Sequence, residues 1–157
     1  MNLCLSSTFG MVLFIIAQAG SAWASAVIKD GMPLTPPNAA PNVLILLTDD
    51  QGLSDLGFYG NPSLETPHLD ALAHRSVRLE NFLVAPTCSP TRAALLTGQH
   101  EFKVGITHTI SGRSLLKPNI PTLAEHLKSA GYRTAIFGKW HLGETYPSRA
   151  QDRGFDE

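Results

Sequence analysis

Three short segments of this chain carry residue types that can do chemistry together. In Cys88-Ser-Pro-Thr-Arg-Ala-Ala-Leu-Leu-Thr-Gly98 a thiol precedes a helix-forming run, with Arg92 four positions on. In Gly138-Lys139-Trp140-His141 an amine and an imidazole stand two residues apart, and Asp49-Asp50 sets two carboxylates side by side. A helix N-terminus offers free N–H groups and partial positive charge, so it favours anions. Arg92 lies on the same side of the first turn as Cys88, and its planar fork suits an oxyanion. Adjacent carboxylates are hard oxygen ligands suited to Ca²⁺ or Mg²⁺.

Each piece also has an ordinary structural reading. Ser89 suits a helix N-cap, Pro90 the first helical position, and Gly98 the place just past the end. None of these needs Cys88 or Arg92, and a lone cysteine is usually inert. Asp49-Asp50 serves equally as an Asx turn in which Asp50 caps the next segment. Lys139 alone is a solvated charge, and His141 alone a loop histidine bonded to backbone. His68, His74, His100 and His126 take that ordinary reading; His108 stays open, because its loop can border a pocket.

Taken whole, the eleven residues from Cys88 to Gly98 reverse those odds. They resemble the signature of the type I sulfatases, C-x-P-x-R followed by Leu95-Leu96-Thr97-Gly98. The segment Gly131-Tyr-Arg-Thr-Ala-Ile-Phe-Gly-Lys-Trp-His141 resembles the second signature of that family, and Gly154-Phe155-Asp156 an element that follows it. The resemblance runs from about Pro41 to Glu157. It implies that Cys88 is oxidised to formylglycine by a maturation enzyme, and that Asp49, Asp50 and the modified residue 88 hold Ca²⁺, with Mg²⁺ as the other choice. It implies that Arg92 and Lys139 face the sulfate and that His141 removes a proton from the hydrated aldehyde. One hydroxyl of that hydrate would attack sulfur and release the alcohol; the other would expel sulfate and restore the aldehyde.

The elements that must position these groups follow from the apolar pattern. Asn42 to Thr48 is a continuous apolar run, which predicts a strand buried on both faces of a parallel sheet. Thr66 and Pro67 open a helix. Val77 to Val84 predicts a second strand, and Tyr132 to Phe137 a third. His100 to Lys117 reads as a long loop, and Pro121 starts a helix that Gly131 ends. The alternation predicts an α/β domain with a mainly parallel sheet flanked by helices. Ligands of such sheets sit at the carboxyl ends of the strands, where all three polar segments fall. The resemblance implies the alkaline-phosphatase-like sulfatase fold, present here as its N-terminal part. The truncated sheet would leave an exposed edge.

The N-terminus reads as an export leader over residues 1–26, with Met11 to Ala17 as its apolar core and small-x-small sites at Ala22-Trp23-Ala24 and Ala24-Ser25-Ala26. Residues 27–41 make a Pro-, Ala- and Gly-rich linker, and 42–157 the catalytic segment. The apolar run is short for a membrane span, so cleavage leaves no stable span. Cleavage also removes Cys4, and a single cysteine then suits a nucleophile precursor better than a disulfide scaffold. The expected location is periplasmic or extracellular. A formal net charge of -1 over 157 residues argues against a nucleic-acid partner. A sulfate ester is the expected substrate. The competing readings are a phosphoester or phosphonate hydrolase of the related alkaline-phosphatase-like group, and a non-catalytic secreted fragment.

Overall fold

In the computed structural model the described residues are 13–18, 40–110 and 112–157. Most of the leader and linker, with Cys4, therefore lies outside the described residues. The chain divides into two compact units, Met1–Leu79 and Glu80–Glu157. Among the described residues no helix is long and apolar enough to cross a membrane.

In the first unit, β1 (Leu13–Gln18) pairs antiparallel with β2 (Asn42–Leu47), Leu13 opposite Leu47 and Gln18 opposite Asn42. The strand expected at Asn42 is present, but its setting is not the expected one. The only sheet among the described residues is this two-stranded antiparallel pair. Val43, Leu44 and Leu46 are exposed rather than buried on both faces. Burial of both faces requires further strands and covering helices, and among the described residues β2 pairs with β1 alone.

Two 3₁₀ turns, Leu53–Asp55 and Gly57–Tyr59, lead to α1 (Pro67–Ala73). Thr66 stands at the N-cap position, but its hydroxyl does not cap α1. It accepts the Gly57 amide at 2.8 Å and donates to Asp70 Oδ1 at 2.6 Å, and Asp70 also accepts the Phe58 amide at 3.0 Å. This knot fastens the glycine-rich turn to α1, and Leu56, between the two 3₁₀ turns, is buried.

The expected strands at 77–84 and 132–137 do not form. A β-prone sequence needs a partner in register, since a single strand satisfies no ladder. Val77 and Leu83 are 90% and 85% exposed, so no layer covers them. The Thr134–Ile136 stretch instead bonds to the chain end: Ile136 donates to Glu157 O at 2.9 Å and Asp156 to Thr134 O at 2.8 Å.

The second unit holds α2 (Cys88–Thr97), α3 (Glu101–Val104), α4 (Leu123–Ser129) and a 3₁₀ turn at Ala150–Arg153. The short helix α3 lies inside the segment expected to be a loop. The N-cap of α4 is Thr122, one residue after Pro121, and it forms a reciprocal capping box with Glu125. The core is Ala93, Val104, Ile106, Leu116 and Leu142, with Leu96, Ile120 and Trp140 packed against it.

Arg153 is 1% exposed and locks the chain end onto α4. It donates to the Lys117 carbonyl at 2.7 Å, to the Ile120 carbonyl, and to the Glu125 carboxylate at 3.2 Å. Thr122 Oγ1 answers by donating to Arg153 O at 2.8 Å. Burial pushes the Glu125 carboxyl up, but hydrogen bonds from Arg153 and Thr122 outweigh it and hold the group below its usual range.

Candidate active site

The site in the second unit is a helix start gripping a turn. The first turn of α2 is buried through Ser89, Pro90, Arg92 and Ala93. Its N-cap is Thr87, in extended backbone, so Cys88 is the first helical residue and Ser89 the second. Ser89 therefore does not cap the helix and Pro90 is not its first residue, as the sequence suggested. The Ser89 hydroxyl is directed across to the 139–141 turn. Thr91 ties the helix start to the preceding segment, donating from Oγ1 to Ala85 O at 2.9 Å.

Three consecutive contacts join α2 to that turn. Cys88 Sγ lies 3.2 Å from His141 Nδ1. Ser89 Oγ donates to the His141 carbonyl at 2.8 Å. Arg92 Nη1 donates to the Lys139 carbonyl. Positions 88 and 92 do share a face, as their spacing requires. At 8% exposure, Arg92 has its guanidinium in the turn's backbone, which gives it an ordering role beside any electrostatic one. The Lys139 side chain is exposed and Cys88 and His141 are half-buried.

His141 adopts φ 59°, a left-handed backbone uncommon for a residue with a Cβ. The following residue anchors it: Leu142 is fully buried in the core, and its carbonyl accepts the Leu116 amide at 2.9 Å. Trp140 is fixed on the other side by Nε1 donating to Ser148 O at 2.8 Å and by an edge contact with Phe155 at 5.9 Å. Residues 139–141 are thus stitched at every position. A thiol, an imidazole and a buried guanidinium meet at a helix N-terminus, an arrangement that suits an anion.

Asp49 and Asp50 belong to the first unit, directly after β2, and both are exposed. Asp50 has φ 52°. The amide of Gly52 donates to Asp55 Oδ2 at 2.7 Å, so Asp55, not Asp50, closes the turn that follows. Among the described residues no cluster of three or more His, Cys, Asp or Glu side chains forms a ready metal cage. His108 is exposed, and its Nδ1 accepts the adjoining Thr109 amide at 2.9 Å.

Sequence reasoning missed Ser89 and Trp140 as supports of the turn. Their neighbours Cys88 and His141 drew the chemical reading, and each support has an ordinary reading of its own.

The sulfatase family model matches residues 41–157. This chain belongs to the sulfatase family. It is 44% identical over 140 residues to mouse steryl-sulfatase, covering 83% of this chain and 22% of that protein. It is 44% identical over 139 residues to pig N-acetylgalactosamine-6-sulfatase, covering 81% of this chain and 26% of that protein. Among solved structures it is similar to Ps i-CgsB, with TM-score 0.64 and 35% identity over 69% of this chain and 25% of the other. The chain thus spans about a quarter of the length of those relatives.

Proposed function

We propose that this sulfatase chain carries the nucleophile side of a sulfuric ester hydrolase. The observation that bears most weight is Cys88 Sγ at 3.2 Å from His141 Nδ1 on the first turn of α2. Formylglycine made from Cys88 by a maturation enzyme would supply a hydrated aldehyde as nucleophile toward sulfur. His141 Nδ1 stands where a proton at the reacting atom of residue 88 must be held or moved. Arg92 holds the Lys139 backbone, and its guanidinium and the Lys139 amine are the cations we assign to an anionic ester. The dipole of α2 adds to this.

Asp49 and Asp50 fit a hard divalent cation, as adjacent, exposed oxygen donors directly after β2. We assign them to Ca²⁺, or to Mg²⁺. Two carboxylates fall short of the roughly six to eight oxygens Ca²⁺ takes, so other ligands must complete the set. The leader, the periplasmic or extracellular location and the maturation enzyme belong to the same proposal. So does a parallel sheet in which 77–84 and 132–137 become strands, supported by the exposure of Val77, Leu83 and Phe137.

Turnover by the protein is the test. Made beside the maturation enzyme and supplied with Ca²⁺, it is expected to hydrolyse at least one of an aryl, a steryl and an N-acetylgalactosamine-6 sulfate. Cys88→Ala should abolish this. Lys139→Ala should lower the rate on the order of 10²–10³-fold, as loss of a positioned donor does. Hydrolysis of phosphate esters alone would transfer the site to the phosphoester class. No hydrolysis of either would leave the non-catalytic reading.

A further inference from the structure

We infer that Ser89 is a positioning residue whose hydroxyl aims the His141 imidazole at Cys88. The inference rests on the proposed function for its chemical meaning, but its geometry stands without it. Ser89 is fully buried, and its Oγ donates to the His141 carbonyl at 2.8 Å. Buried hydroxyls need a partner, and a serine at a helix start ordinarily finds one in its own helix. This one reaches 52 residues along the chain to the residue that faces the nucleophile.

The left-handed backbone makes the contact consequential. A residue with a Cβ loses roughly 1–2 kcal/mol in that conformation, so it persists only where its surroundings fix it. Arg92 holds the carbonyl of Lys139, two residues earlier, and the core holds Leu142. The Ser89 bond is made to the backbone of His141 itself. The direction of Cβ follows from φ, so relaxation to the commoner basins swings the imidazole off Sγ. Ser89 thereby sets the proton acceptor at residue 88 without touching substrate.

The experiment measures coupling between residues 88 and 141 in this chain, made with the unconverted thiol. In ¹⁵N-histidine-labelled protein, Cys88→Ala should shift the His141 ring-nitrogen resonances. That Cys88-dependent shift should vanish in a Ser89→Ala background and survive in Ser89→Thr, which keeps the hydroxyl. A purely structural serine would lower the melting temperature in Ser89→Ala yet leave the coupling intact, and that result overturns the inference. Absence of any Cys88-dependent shift in the parent chain overturns it as well. If Ser89→Ala does not fold, Ser89→Cys keeps the volume with a weak donor; undiminished coupling there is again contrary. Failure of the sulfatase reading would appear as absent ester turnover, which this spectrum does not depend on.

Discussion

Replacing Gly154 by alanine tests whether the chain end is locked onto α4 as closely as the geometry requires. Gly154 has φ 97°, and a Cβ there would lie 2.5 Å from Glu125 N and 2.9 Å from Ala124 C. Both atoms are backbone, so no rotamer change relieves the clash. Glu125 N is also the amide that donates to Thr122 Oγ1 at 3.1 Å in the capping box. The positive φ alone costs a residue with a Cβ about 1–2 kcal/mol. Overpacking adds roughly 1–3 kcal/mol, for about 2–5 kcal/mol in all. Gly131 is the control: its φ is 87°, but a Cβ there meets nothing within 4 Å. Gly131→Ala should therefore lose only the conformational part, about 1–2 kcal/mol. Each kcal/mol lowers the midpoint of a unit this size by roughly 4–8 °C. The assay is thermal unfolding followed by Trp140 fluorescence in a Trp23→Phe background, since Trp140 packs against Phe155, the next residue after Gly154. Equal midpoints for the two variants would refute the close docking of Gly154 on α4.

Two further outcomes follow from side chains with defined partners. Lys128 donates to Asp156 Oδ1 at 2.5 Å and the Thr134 amide to Oδ2 at 3.0 Å, and these hold the Asp156 carboxyl down at about 2 against an ordinary 3.8. A depressed carboxyl stabilises the fold above its unfolded value, and that stabilisation is lost as pH falls from 3.8 toward about 2. The melting midpoint of the parent should accordingly drop more steeply through that window than that of Asp156→Asn; parallel slopes would contradict the pairing. With Ca²⁺ supplied, Asp49→Asn and Asp50→Asn should each weaken Ca²⁺ binding and ester turnover together, measured by calorimetric titration and rate, because on the proposed assignment each removes a charged oxygen ligand. Unchanged affinity in both variants would remove the pair from the metal site.

The site was legible in the sequence where it depends on spacing along one helix. Cys88 and Arg92 share a face because four residues make about one turn. Lys139 and His141 were legible as a motif, and the structure brings His141 to Cys88 and the Lys139 carbonyl to Arg92. What spacing cannot show is which carbonyl a buried hydroxyl chooses. Ser89 has the signals of an N-cap, yet a carbonyl distant in the chain accepts its hydrogen bond. The sheet was legible only as a tendency: Asn42–Leu47 forms a strand, while 77–84 and 132–137 do not. Strands depend on neighbours in register, which a local pattern does not encode. The helices fared better because their bonds are internal; even so, α3 escaped notice at four residues, too short for a periodic signal.

The central claim is that Cys88 is the precursor of the nucleophile, and the mass of the peptide that contains it tests this most directly. Exported from a cell that holds the maturation enzyme, the protein should yield a Cys88 peptide that has lost its sulfur and gained an aldehyde, which a hydrazide labels. Cys88→Ala should give no label. A Cys88 peptide recovered wholly as the unmodified thiol from such a cell would contradict the account.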